Sequence, residues 1–226
     1  ARLDNAGSVE EVQRRLLEYA QSVPDGSWVV GRGWMPTDFP ERRADRRYLD
    51  AIFPDRPVVI RDRDGHQALV NSRALALAGV TRETRAPPDG RIPRDADGTP
   101  TGLLQEAAVG LVTDLLPPLS LEDTYQLLLE ELAAASALGI TSLQDATDVG
   151  LTANERGALE RAQSEGKLTV HYRAAVPLEP NPTPEQLRHA VELRNATRGQ
   201  LLYYGFAKGM LDGTVDAKTA FMLEPY

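Results

Sequence analysis

Hydrophobic and polar positions at the start of the chain predict one amphipathic helix. Apolar residues recur at the spacing of a single helical face over residues 8–23. Ser8 and Glu11 have the capping-box pattern that begins a helix, and the Pro-Asp-Gly sequence at 24–26 ends it.

Short apolar runs then predict strands joined by turns. Residues 28–31 and 57–61 have the composition of strands, and residues 31–36 between them are predicted to be a loop. Asn71 or Ser72 can cap a short helix that extends to Leu77. Residues 86–102 are rich in Pro, Gly and Asp and predict turns or a short hairpin, with Asp97-Gly98 at its tip.

Helices and strands alternate regularly after the Pro-Pro pair at 117–118. Helices are predicted from Ser120, over residues 154–164 and from Thr183, and strands over residues 139–143, 167–173 and 202–211. Such alternation is typical of right-handed crossovers and a parallel sheet, which makes the fold class α/β. Three parallel strands are fewer than half of an eight-stranded barrel, so the pattern predicts part of a larger structure.

Charge and composition exclude several classes of partner. The 226 residues include 25 Lys and Arg against 33 Asp and Glu, a net charge of −8, which argues against binding to nucleic acid. The Arg-rich residues 41–47 are interleaved with acidic residues and are interpreted as a solvated surface. No apolar run is long enough to cross a bilayer and no secretory signal is visible, so a cytoplasmic protein without a membrane partner is predicted.

Residues that could carry chemistry are few. The chain has no cysteine, which excludes disulfides, thiolate metal sites and a cysteine nucleophile. The three histidines form neither an HxH nor an HExxH pair, and nucleotide-binding loops and the GxSxG elbow are absent. His171 and His189 are interpreted as structural, whereas His66 follows a strand in a polar Asp-Gly turn where sites are common.

Side chains at the carboxyl ends of the predicted parallel strands are the other candidates, because ligands collect there in parallel α/β folds. Asp145 follows the first of these strands. Lys208 interrupts the third, where an amine must snorkel, pair with a carboxylate such as Asp212 or Asp216, or have a chemical role.

Several motifs in a fixed order resemble amidohydrolase family 3, the YtcJ-like metal-dependent hydrolases. They include WVVGRGW at 28–34, DGH at 64–66, VNSRAL at 70–75, IPRD at 92–95, GTPTG at 98–102, GITS at 139–142, KGMLDG at 208–213 and LEPY at 223–226. The resemblance implies a partial (β/α)8 TIM barrel with a family-specific α+β insertion. Residues 1–118 then correspond to the insertion between barrel strands 1 and 2, and residues 119–226 to strands 2 to 4.

The resemblance also implies hydrolysis of an amide or other C–N bond by metal-activated water. Lys208 matches the strand-four lysine that is carboxylated and bridges metals in related enzymes, with zinc as the expected metal. The remaining ligands and the catalytic residues are expected outside this chain, so the fragment alone is expected to be inactive and metal-free. Substrate contact, to a small amide-type molecule, is predicted for His66, Asp64, Trp34, Glu106 and Asp145, and the His66 turn is expected to approach the carboxyl ends of the barrel strands.

Two other functions are consistent with the same residues. One is a non-catalytic binding or assembly module on this fold. The other is a metal-free glycoside hydrolase that uses Glu106 and Asp145 as paired carboxylates, which requires roughly 5–10 Å between them. Open barrel edges also favour association into a homo-oligomer.

Overall fold

The chain divides into two units, each with its own sheet. The computed structural model describes residues 1–147, 150–179, 181–197, 199–213, 215 and 220–224. One unit is Ala1–Leu116 with Gly213–Tyr226, and the other is Pro117–Asp212. Among the described residues, no helix combines the length and the apolar character that a membrane crossing requires.

The first unit contains a five-stranded mixed sheet in the order β1-β2-β3-β5-β4. The β1–β2 pair is parallel and the other pairs are antiparallel. Its elements are α1 (Val9–Ala20), β1 (Val29–Trp34), α2 (Arg46–Asp50), β2 (Val58–Asp62), β3 (Gln67–Val70), α3 (Ser72–Leu77), β4 (Gly90–Arg91), β5 (Leu103–Glu106) and α4 (Gly110–Thr113), with 3-10 turns at Pro36–Asp38, Pro40–Arg42 and Ala107–Val109.

This sheet has a hydrophobic layer on each face. Val58 and Ile60 of β2 pack with α1 and β1, whereas Val59 between them packs with α3, β5 and α4. Burial on both faces explains why β2 is a continuous apolar run rather than an alternating one.

The predicted loop at residues 31–36 is wrong, because β1 continues through Trp34. Gly31 and Arg32 pair in register with β2, and the register then shifts so that Trp34 lies opposite Asp62. Gly33, with φ 97°, is the extra residue of this bulge. The glycines that suggested a loop therefore belong to the irregularity inside a strand.

Local capping signals are placed as predicted in this unit. Ser8 accepts a hydrogen bond from Glu11 N and begins α1, which ends at Ala20, three residues before the predicted end. Asn71 caps α3, and Gly79 follows its end with φ 63°. The hairpin is also confirmed, since Asp95 N donates to Thr99 O at 2.8 Å across the Asp97-Gly98 tip.

Over its described residues, the second unit alternates three helices with three parallel strands, as predicted. The strands β6 (Ser142–Asp145), β7 (His171–Pro177) and β8 (Leu202–Lys208) pair in chain order. The helices are α5 (Leu121–Ala137), α6 (Ala153–Ser164) and α7 (Pro184–Ala196). Side-chain caps on Ser120, Thr152 and Thr183 start them, and the last two are full capping boxes.

The predicted strand at 167–173 begins later than expected. Lys167 N and Leu168 N both donate to Ala162 O, so these residues close the end of α6. The strand itself starts at His171 and continues to Pro177. The predicted strand at 202–211 ends three residues early, at Lys208, and the strand predicted at 139–143 begins only at Ser142 and continues to Asp145 as β6. The chain is thus a mixed α/β protein with parallel strand pairing in both sheets.

Candidate functional site

The turn between β2 and β3 carries His66. Gly65 provides the left-handed conformation at this turn, with φ 82°. Asp62 at the end of β2 closes the turn, since its Oδ1 accepts a hydrogen bond from Gln67 N at 2.9 Å. Burial raises the pKa of Asp62, which is 7% exposed. The rigid ends of two strands thus hold the imidazole in place.

His66 forms a pair with Glu106, the last residue of β5. His66 Nδ1 lies 2.8 Å from Glu106 Oε2, and the side chains are 26% and 16% exposed. The backbones are joined as well, because Glu106 N donates to His66 O at 2.8 Å. Two of the predicted substrate-contact residues, 40 positions apart, therefore lie in direct contact.

The backbone of Glu106 has an unusual conformation. Its φ of 50° and ψ of −129° lie in a region that favours glycine and that costs other residues about 1–3 kcal/mol. Gly90 lies opposite it in the β4–β5 pairing, and a Cβ there would meet the Ala108 backbone N at 2.6 Å. A carboxylate is thus held at a strained position in a closely packed corner of the sheet.

A buried polar row lies one step further along the strands. Gln105 Nε2 donates to Gln67 Oε1 at 3.0 Å, and Gln67 Nε2 reaches Asp62 Oδ2 at 3.4 Å. All three side chains are less than 9% exposed. The row ties β2, β3 and β5 together next to the His66–Glu106 pair, and sequence patterns did not predict it.

The other two candidates of this unit occupy different environments. Asp64 is exposed in the turn beside His66. Trp34 is 1% exposed, its Nε1 donates to Ile60 O at 2.9 Å, and its ring meets Phe39 edge to face. Trp34 therefore has the environment of a core residue, with its polar atom already bonded.

The second unit's sheet has one covered face and one open face. Ala174, Val176 and Tyr204 are buried against α7. A shallow pocket of about 240 Å³ lies on the opposite face, where the lining residues include Ser142, Gln144, His171, Arg173 and Tyr203. Arg173 Nη2 donates to the Tyr203 hydroxyl at 2.9 Å. The lining of this pocket on the open face is thus mostly polar.

Lys208 and Asp145 lie at the carboxyl ends of these strands. A register shift between Ala174 and Ala175 puts Lys208 opposite Pro177, one position past Val176, and hence on the open face. Asp145 pairs with Ala174 and accepts a hydrogen bond from the Tyr172 hydroxyl at 2.8 Å. Burial, followed by that hydrogen bond, raises the pKa of Tyr172. Asp145 thus forms its hydrogen bond on the covered side of the sheet, whereas the register assigns Lys208 to the open side.

An arginine-lined cleft of about 780 Å³ lies elsewhere in the first unit, around residues 40–48. Arg47 pairs with Asp45 at 2.6 Å, and Arg94 donates to backbone carbonyls, including Thr84 O at 2.6 Å. Arg43 is 82% exposed, as predicted for a solvated surface, but Arg46 in the same stretch is only 15% exposed and pairs with Asp95 at 3.3 Å. The cleft's cations are thus largely engaged in internal contacts or hydrated.

The described residues do not form a metal site. No group of three or more His, Asp or Glu side chains in the described ranges could hold an ion. Lys208 would offer one ligand at most. The carboxylates of Glu106 and Asp145 already accept hydrogen bonds from His66 and Tyr172, respectively. This donor set does not fit a resident dinuclear metal centre.

Comparisons with known proteins relate this chain to amidohydrolases. The sequence model of the Amidohydrolase family matches residues 1–226. "Putative amidohydrolase YtcJ" of Bacillus subtilis (strain 168) is 30% identical over 222 residues, which cover 97% of this chain and 41% of that protein. "N-substituted formamide deformylase" of Arthrobacter pascens is 31% identical over 166 residues, 71% of this chain and 30% of that protein.

Solved structures show the same fold. An uncharacterized metal-dependent hydrolase from Pyrococcus horikoshii OT3 superposes with a TM-score of 0.59 at 24% identity, covering 100% of this chain and 41% of that one. The chain thus spans less than half the length of these relatives. Because the family model matches from the first residue to the last, the chain belongs to the amidohydrolase family.

Proposed function

We propose that this chain is part of a hydrolase that cleaves an amide or other C–N bond, and that the His66–Glu106 pair contacts the substrate. The family match over residues 1–226 supports this reaction class. The name of the Arthrobacter pascens relative, a deformylase of N-substituted formamides, supports a small amide as the substrate.

The fold-level part of the proposal concerns the rest of the barrel. We propose that β6, β7 and β8 are strands 2 to 4 of a (β/α)8 barrel and that residues 1–118 are an insertion before them. Two observations support it: the in-order parallel pairing, and the mostly polar pocket opposite the helices, on the face that in a closed barrel would be the interior.

His66 is well suited to substrate contact. Its Nδ1 is engaged by Glu106, and among the described residues no second group bonds to the ring. The second nitrogen of an imidazole held in this way can form a hydrogen bond with a polar group of the substrate, which orients the scissile group. Asp64, exposed in the same turn, is the second contact that we propose.

A divalent metal, with zinc as the ion we expect, would supply activated water in this family. The donor set described above does not fit such a centre, so no step is assigned to it on these residues. We propose only that Lys208, which the register assigns to the open face, would help to hold that centre in a longer protein, after its amine has added CO₂ and released a proton to become a carbamate.

The test is an assay of the longest reading frame that encodes this chain. The assay measures amine release from a panel of small amides, before and after dialysis against a chelator. We expect release that the chelator abolishes and that Zn²⁺ restores. Hydrolysis of none of the amides, in a protein that folds and binds metal, would refute the proposal in favour of a binding module.

A further inference from the structure

The hydrogen bond between His66 and Glu106 fixes the tautomer of the imidazole. An ionised carboxylate has only acceptor sites, so the hydrogen in the 2.8 Å contact must belong to His66 Nδ1. In the neutral ring the other nitrogen, Nε2, then has a lone pair and no hydrogen. The free nitrogen of this histidine is therefore an acceptor.

Three structural features hold the pair in this arrangement. The backbone hydrogen bond from Glu106 N to His66 O fixes the two main chains at 2.8 Å. Glu106 has φ 50° and ψ −129°, a backbone conformation that strand residues rarely adopt, and in this conformation its carboxylate contacts His66. The Asp62 contact to Gln67 N fixes the His66 turn from the other side.

Partial burial strengthens the arrangement. The carboxylate is only 16% exposed and the imidazole 26% exposed, so water competes poorly for the contact. Strained backbone that presents a carboxylate to a histidine is typical of residues selected for position rather than for stability. A surface histidine with a mobile carboxylate neighbour would have none of these constraints.

We propose that Glu106 is a positioning residue that holds His66 with Nε2 as a hydrogen-bond acceptor, and that the substrate presents an N–H or O–H donor to it. The second half rests on the proposed function and narrows it to amides that retain a hydrogen on nitrogen. An N,N-disubstituted amide has no donor for this nitrogen and leaves it unpaired.

The tautomer can be measured in this chain without turnover. Long-range ¹H–¹⁵N correlation spectra at pH 8 distinguish a protonated from an unprotonated ring nitrogen. His171 and His189 are both exposed, so the variants His171→Gln and His189→Gln assign the signals and provide reference rings. We expect His66 to show a protonated Nδ1 and an unprotonated Nε2, while the reference rings show the mixture of a free imidazole.

Two variants separate positioning from folding. Glu106→Ala removes the carboxylate, and Glu106→Gly removes it while also relieving the positive φ. In both, the His66 signals should shift to the reference mixture. A wild-type ring that is protonated at Nε2, or a tautomer that survives both substitutions, would overturn the positioning role.

The substrate half is tested with N-methylformamide and N,N-dimethylformamide in the longest reading frame. We expect kcat/KM to favour the first by roughly 10-fold or more, and Glu106→Gly to reduce that preference. Equal kcat/KM for both amides would overturn the donor requirement and leave the proposed function standing. Hydrolysis of neither amide, by a protein that releases amine from N,N-disubstituted members of the wider panel, would overturn the donor requirement and leave the proposed function standing. Hydrolysis of no amide in the panel would refute the proposed function itself.

Discussion

Asn71 is the buried side chain whose removal should destabilise the first unit most clearly. It is 0% exposed and makes four hydrogen bonds. Its Oδ1 accepts from Val58 N and Ala74 N, both at 3.0 Å. Its Nδ2 donates to Phe53 O at 2.7 Å and to Arg56 O at 2.8 Å. One amide thus caps α3 and joins it to the start of β2.

The magnitude for Asn71→Ala follows from these contacts. Loss of a helix cap costs about 1 kcal/mol, and each buried polar group left without its partner costs about 1–3 kcal/mol. Val58 N and Phe53 O are both in buried bonds to Asn71. Because such costs are not additive, we expect a total loss of about 3–5 kcal/mol in the free energy of unfolding.

Urea unfolding followed by tryptophan fluorescence measures this loss in the correct unit. The chain has two tryptophans, Trp28 and Trp34, and both lie in the first unit. Ser8→Ala is the matched control, because Ser8 caps α1 through one 3.2 Å bond and supports no second element. The control should cost about 1 kcal/mol. If Asn71→Ala costs no more than Ser8→Ala, the reasoning about the buried network is wrong.

Two further predictions concern packing and charge. Gly102→Ala should destabilise the first unit by more than about 2 kcal/mol, because a Cβ at this position, where φ is 90°, would collide with the Val70 carbonyl oxygen. Gly26→Ala is the control in the same urea assay. Gly26 has φ 77° and nothing within 4 Å of an added Cβ, so this change should cost only about 1 kcal/mol. In the second unit, Lys167, then Tyr125 and Arg161, lower the pKa of Glu165 from 4.5 to about 2. A carboxylate whose pKa is lower in the folded state adds stability above pH 4.5, and this stability is lost as the pH decreases toward 2. Glu165→Gln should therefore make the free energy of unfolding of the second unit, followed by tyrosine fluorescence, fall less steeply between pH 4.5 and 2, which is the acid limb of its stability profile. An unchanged acid limb would show that the cluster around Tyr125 contributes nothing through this charge.

Local signals made much of the fold predictable from the sequence. The caps on Ser8, Asn71 and Thr183 are short-range hydrogen bonds, so their residue types alone mark where helices begin. The alternation of helices and strands after residue 117 likewise predicted the parallel pairing of β6, β7 and β8.

Features that depend on a distant partner were not predictable in this way. Gly33 suggested a loop because its neighbours are also small or polar, and only pairing with β2 shows that it is a bulge. His66 and Glu106 were each candidates, but their contact requires the antiparallel pairing of β3 with β5 across 40 positions. Gln67 and Gln105 gave no signal, since a glutamine looks like surface until its strand is known to be central.

Candidates at strand ends show the same limit. Asp145 was selected for its position after β6, yet its contact with the Tyr172 hydroxyl depends on which face the register assigns to it. The expected approach of His66 to the carboxyl ends of the barrel strands stays a prediction, as do the cytoplasmic location and the homo-oligomer.

The most direct test of the central claim is the kcat/KM of His66→Ala for amine release from N-methylformamide, measured in the longest reading frame that encodes this chain. His189→Ala is the control, because this histidine is exposed on α7. Loss of a hydrogen bond to the substrate in a partly enclosed site predicts a decrease of roughly 10–100-fold for His66→Ala, with tryptophan fluorescence unchanged, and no decrease for the control. Equal kcat/KM in the wild type and both variants would contradict the claim that the His66–Glu106 pair contacts the substrate.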